Sequence, residues 1–276
     1  MPDVSAVPEP VVKEFGPGAS NGSWPRSVAV LSDQEYLSVF NDPDRVERLE
    51  NREALVVPYS LPPEANEDEV IAAREILRSS GQLASGSLLV QNPYDEKSYV
   101  PAAEALETLA VAKYHHLAVV ASLLGAQELR VTDAKVERKN SDTRGAVKAG
   151  VKGVGVETDA SVQYASELEA HLKLETDFGG SAPEPDEAMD YIRAHNLVGD
   201  HSMTALVALR RGKNPVLRYQ LTMDATKESQ RNITSALSLA KALPTLIELN
   251  GNFTRTAEAV SSIKITTEIK FPKLGQ

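Results

Sequence analysis

The chain has 276 residues, with 39 acidic and 29 basic side chains, five histidines and no cysteine. Its length allows one large core or two smaller ones. The missing thiols exclude disulfides, thiolate metal sites, iron–sulfur clusters and a cysteine nucleophile.

The net charge of −10 sits wholly in the first half: residues 1–125 carry 9 basic and 19 acidic groups, and residues 126–276 carry 20 of each. An acidic surface repels phosphate backbones, so no nucleic-acid partner is expected. Residues 1–25 hold five prolines (Pro2, Pro8, Pro10, Pro17 and Pro25) without an apolar period, and read as a flexible leader. They lack the basic start and apolar run of a signal peptide, which makes a cytoplasmic protein the expectation.

From Ser27 short apolar runs at 28–31, 55–57 and 88–90 alternate with helical patterns. Asn66 and Glu69 have capping-box spacing ahead of Val70, Ala73, Ile76 and Leu77, and Gly81 stops that helix. Pro101 precedes a longer helical pattern over 102–124, apolar at Leu106, Leu109, Leu117, Val120 and Leu124. Its charges at Glu104, Glu107 and Lys113 argue against a membrane span.

After Gly125 the apolar period changes from 3.6 to 2. The second half then reads as antiparallel sheet interrupted by two helices, at 186–197 and 227–243. Segments 204–209 and 216–223 suggest a hairpin turning at 211–215. The last strand spans 263–271, with Ile263, Ile265, Thr267, Ile269 and Phe271 on one side and Lys264, Thr266, Glu268 and Lys270 on the other. The fold class is therefore α+β: a leader at 1–25, an acidic mixed α/β N-terminal lobe at 26–125, and a β-rich lobe of long antiparallel strands with two helices at 126–276.

The most unusual pattern lies at 154–178, where every even position is uncharged. Extended at ~3.3 Å per residue the segment would reach about 80 Å, so the strand reading requires a bend or an embedded turn. Composition at 163–176, rich in Glu, Leu, Ala and Lys, equally suits a helix. As a strand, its apolar side either packs on the helices of a soluble fold or, having left that fold, faces lipid in a β-barrel. The candidate membrane or partner contacts are Val154, Val156, Val162, Tyr164 and Leu168 on the uncharged side, flanked by Arg144, Lys148, Lys152, Arg210, Arg211 and Lys213. Basic clusters of this kind favour anionic lipid by ~1 kcal/mol per charge.

No P-loop, G-x-G-x-x-G, H-E-x-x-H, G-x-S-x-G or EF-hand spacing is present. His115 and His116 are adjacent on the long helix, about 100° apart, so one belongs at the core edge and the other in solvent. His195, Asp200 and His201 form the only local group that joins imidazole to carboxylate, and helix capping accounts for it more simply than acid–base or metal chemistry. His171 belongs on an exposed polar side. No catalytic residue, metal ligand or cofactor is assigned. The resulting expectation is a non-enzymatic assembly or membrane-engaging protein, with pore formation through amphipathic strands as its sharpest form. Its partner would be a protein, a second copy or an anionic membrane, with peripheral attachment on activation. The alternatives are a soluble binding or scaffold module and an enzyme of unrecognised class.

Overall fold

The computed structural model describes residues 24–44, 49, 53–60, 68–139, 167, 170–172, 174–212 and 214–273. Among them are eight α-helices and two four-stranded sheets, an α+β fold.

The first sheet joins β1 (Ser27–Leu31), β2 (Ala54–Pro58), β3 (Leu88–Asn92) and β4 (Asp95–Pro101) in the order β2-β1-β3-β4. β1 runs parallel to β2 and antiparallel to β3, and β3 and β4 form a hairpin. Every residue of β1 is buried, so both of its faces are covered, as an unbroken apolar run requires. Helix α1 (Asp33–Phe40) contributes to that cover, and α2 (Asp68–Ser79) packs on the neighbouring strands β2 and β4. Ser32 starts α1 through a reciprocal capping box with Glu35.

The next helix, α3 (Ala105–Leu123), follows a 3-10 turn at Ala102–Glu104 and buries a wide face from Ala105 to Ala121. It ends in a Schellman motif: Ala126 N–H donates to the Ala121 carbonyl and Gly125 N–H to that of Ser122. Gly125 has φ +77°, and a Cβ there would lie 2.3 Å from the Ser181 carbonyl oxygen, so conformation and space both demand glycine. Gly81, as the sequence suggests, closes α2 by the same device.

The second sheet is antiparallel throughout. It joins β5 (Glu128–Arg138), β6 (Glu175–Asp177), β7 (Arg218–Asp224) and β8 (Val260–Lys270) in the order β6-β5-β8-β7. β5 and β8 pair along their whole length, with Glu128 opposite Lys270 at one end and Arg138 opposite Val260 at the other. A register shift between Val131 and Asp133 moves the inward positions of β5 from odd to even. Around the sheet lie α4 (Pro185–Ala194), α5 (His201–Arg211), α6 (Gln230–Ala242), α7 (Pro244–Leu249) and α8 (Gly251–Ala259). Helix α6 packs against β1, β2 and β3, and one hydrophobic core runs from Val28 to Phe271.

On the side read as apolar at 263–271, Ile263, Ile265, Thr267, Ile269 and Phe271 are buried; on the other, Lys264, Thr266 and Lys270 are half-buried and Glu268 is buried beneath its ion pairs. Three expectations are corrected. Where two helices are expected in the second half, the described residues carry five, α4 to α8. Residues 204–209 are helical, inside α5, because Asp200 caps that helix and Met203, Leu206, Val207 and Arg210 reach the core at helical spacing. A six-residue apolar run is too short for periodicity to separate the two states. Among the described residues of 154–178, Glu167, Ala170 and His171 are helical and Glu175–Asp177 are strand, so the uninterrupted extended reading fails there. At Glu167, Ala170 and His171 the composition that suits a helix prevails, and Leu172 beside them is buried. Residues 1–23 and 140–166 fall outside the described residues, as does the proposed cap at Asn66.

Candidate functional site

Lys113 lies on α3 one turn after Leu109 and one turn before Leu117, within the apolar stripe, and is 0 % exposed. Its Nζ donates to Glu228 Oε2 (2.6 Å) and to the Asp224 carbonyl (2.7 Å), and it pairs with Asp200 Oδ2 at 2.8 Å. All three ammonium hydrogens are thus matched to acceptors. Asp200 divides its work: Oδ2 faces Lys113, while Oδ1 accepts from the Ser202 and Met203 amides and starts α5. One cation against two carboxylates leaves this mostly dry cluster with a net charge of −1.

Tyr94, in the β3–β4 turn, stands against the same cluster and is 4 % exposed. Burial, then the carboxylates of Glu228, Asp200 and Asp224, holds its phenol far above the ordinary tyrosine range, so the group stays protonated. The hydroxyl faces Glu228 but finds no partner in hydrogen-bonding geometry among the described residues, and neither does Glu228 Oε1.

On its other side the Tyr94 ring begins an aromatic box with His116, His195 and Tyr191. The His116 ring centroid is 4.8 Å from those of Tyr94 and His195, and its Nδ1 shares a 2.8 Å hydrogen bond with the Tyr191 hydroxyl. Burial, with smaller contributions from His195 and His115, pushes His116 down to about 4, which leaves it neutral near pH 7. His115 is exposed, as the helical geometry requires.

A cleft of about 310 Å³ opens beside Glu228. The segment leading into β1, strands β3 and β4, helix α6 and the turn after α4 supply its walls: Trp24, Arg26, Gln91, Glu96, Asn196 and Asn232 among others. Asn232, buried on α6, accepts from Arg26 Nη1 (2.9 Å) and donates to the Gln91 carbonyl (2.9 Å). The cleft floor is therefore tied to the first sheet through side-chain hydrogen bonds. Among the described residues no group of three His, Asp or Glu side chains is placed to hold a metal ion.

The second sheet presents a different polar surface. Its outward side carries a lattice of ion pairs: Arg218 to Glu268 (2.5 Å), Lys270 to Glu128 (2.8 Å) and Lys264 to Glu137 (2.7 Å), with Arg130 between Glu128 and Glu268. Thr222 and Thr266 share a hydroxyl hydrogen bond between these pairs (3.0 Å). β6 pairs with β5 at Glu128, Leu129 and Arg130, and at the other end of the sheet β7 pairs, among the described residues, with β8 alone.

The contacts suggested by the sequence scatter on this frame. Arg210 is 2 % exposed, so it is not an outward basic contact: Nε donates to the Leu124 carbonyl (3.2 Å), Nη1 to that of Val216 (2.9 Å), and the guanidinium lies 4.1 Å over the Phe271 ring. Arg211 is exposed and paired with Asp186 at 2.5 Å. Val154, Val156, Val162, Tyr164, Leu168, Arg144, Lys148, Lys152 and Lys213 lie outside the described residues. His195 sits at the end of α4 and His201 begins α5, with Asp200 serving as cap and as partner to Lys113. His171 is exposed and bonded to Glu107 (2.8 Å). Sequence reasoning missed Lys113 and Glu228. The signal for Lys113 was its place four residues from both Leu109 and Leu117; nothing local marks Glu228.

No family model, curated protein or solved structure matches the chain.

Proposed function

We propose that this is a non-enzymatic assembly protein whose second sheet gains a strand along β7 from a second copy of the chain. The observation that carries this reading is the place of β7 at the end of the order β6-β5-β8-β7, where among the described residues it pairs with β8 alone. Backbone N–H and C=O groups along a sheet edge form a ready template for another strand, and two identical edges can pair about a two-fold axis. The exposed polar positions Arg218, Gln220 and Thr222 favour an ordered register over non-specific association. Sedimentation velocity across a concentration series should show a reversible dimer, and hydrogen exchange at 218–223 should slow as it forms. A monomer at all concentrations, with fast exchange at that edge, rejects the reading.

A sharper form of the proposal has the assembly engage an anionic membrane, with a cytoplasmic chain becoming peripheral on activation. Its support is the net charge of +4 over 135–152, which begins on β5, and the uncharged even positions at 154–164. No helix among the described residues is long and apolar enough to cross a bilayer. Dye-loaded phosphatidylserine vesicles separate the two forms: leakage supports the membrane form, and intact vesicles beside a dimer leave protein assembly alone.

A further inference from the structure

We infer that the cleft beside Glu228 is a binding site for an organic cation, a guanidinium or primary ammonium group. Gln91 lines the cleft yet is only 6 % exposed. Its amide nitrogen donates to the Glu96 carbonyl (2.9 Å) and the Trp24 carbonyl (3.4 Å). Only the NH₂ end can donate to carbonyl oxygens, so the orientation of the amide is settled, and Oε1 is left without a partner among the described residues.

Other groups on the wall have the same bias. Asn196, held at φ +57° in the turn after α4, donates its amide to the Pro93 carbonyl (3.4 Å), and its side-chain oxygen has no partner among the described residues. Glu96 stands exposed at the rim with no cationic partner among the described residues. Glu228 brings the edge of a cluster with one negative charge in excess. The basic residue of the wall, Arg26, is already committed to Glu53 and Asn232. The cleft thus offers acceptors and negative charge against a single cation that is already paired, the inverse of an anion site.

Trp24 adds a face on which a flat cation can lie. At about 310 Å³ the space is at the small end of ligand pockets and suits a group the size of an arginine side chain. The same chemistry could come from a free small molecule or from a side chain of a protein, and the two sources are separable by experiment.

Trp24 is the only tryptophan, so its fluorescence reports directly on the cleft. The full chain would be titrated with agmatine and, separately, with a blocked Gly-Arg-Gly tripeptide, at constant ionic strength. A saturable change with either supports the inference; the tighter of the two identifies a free cation or a protein side chain as the natural source. Glu96→Gln, at an exposed position that does not hold the fold, should weaken binding about three- to fivefold, the effect of one rim charge. Glu228→Gln should weaken it more, and circular dichroism would verify that this variant is folded. No saturable response up to about 10 mM, an equal response to glutarate, or unchanged affinity in Glu96→Gln and a folded Glu228→Gln would overturn the assignment.

Discussion

Two regions of the molecule are built from ion pairs and use them in opposite ways. The Lys113, Asp200 and Glu228 cluster is sealed between α3, the start of α5 and the turn before α6. The lattice on the second sheet lies under solvent. Glu268 is shielded there only by the arms of Arg130, Arg218 and Lys270, which are themselves wetted. In the first region each charge has lost its water, so its partners are obligatory. In the second, water replaces any partner that leaves. Counting ion pairs would rank the sheet lattice as the stronger feature; burial reverses that order.

The largest expected effect is at Lys113. Lys113→Met strands two carboxylates that water cannot reach and should lower unfolding stability by about 3–5 kcal/mol, measured by urea denaturation. The comparison sharpens with the triple variant Lys113→Met, Asp200→Asn, Glu228→Gln. It removes the buried charges together while keeping a competent cap on α5, and should recover most of the loss. If it is no more stable than the single variant, packing of the lysine stem rather than charge holds this region.

Next in size is Leu89→Ala on β3, whose side chain is fully buried in the first sheet. A loss of about 2–5 kcal/mol is expected from transfer and cavity terms together.

The response to pH comes third. His116 has its folded pKa pushed from 6.5 to about 4, so between those values the unfolded chain binds the proton more readily than the folded one. Stability from this group is complete above 6.5, is lost as pH falls through that window, and changes no further below 4. The sheet lattice acts lower. Hydrogen bonds from Arg218 and from Lys264 depress Glu268 and Glu137 below 4.5, so their contribution is present above that value and lost beneath it. Melting curves at successive pH values should show both steps, and His116→Gln should remove only the upper one.

The smallest effect is expected for Arg218→Ala. Glu268 keeps Arg130 and Lys270 as partners, so the change in melting temperature should fall well below that of Leu89→Ala. It should shrink further in 1 M salt, whereas the Lys113→Met effect should be largely salt-independent. A large, salt-resistant loss at Arg218 would erase the distinction between the two regions.

Much of the fold was legible from local pattern. The all-buried strand at 27–31, the helix at 68–79 with its glycine stop, the long helix at 105–123 and the two faces of the last strand each follow from residue spacing within the element. β5 was harder, because its register shift at 131–133 breaks the period that would reveal a single inward face. The helix at 201–211 was misread since Thr204 to Leu209 is apolar on too many sides to show a period. The candidate site was mostly hidden. Asp200 was visible as a cap, but its second oxygen points at a lysine from another part of the chain, and Arg210 looked like a surface cation in a basic turn.

What the amino-acid order alone determined is the state of the strongly patterned segments: the strand at 27–31, the helices at 68–79 and 105–123, and the apolar side of the final strand. Only the tertiary structure decided which charges went inside. Lys113 meets its acceptors 111 and 115 residues away, and Arg210 meets the Leu124 carbonyl 86 residues away. Such partnerships leave no periodic trace, because a charged side chain has the same local propensities whether its counterpart is water or a distant carboxylate. Desolvation, which acts only when the elements pack, tells the two apart.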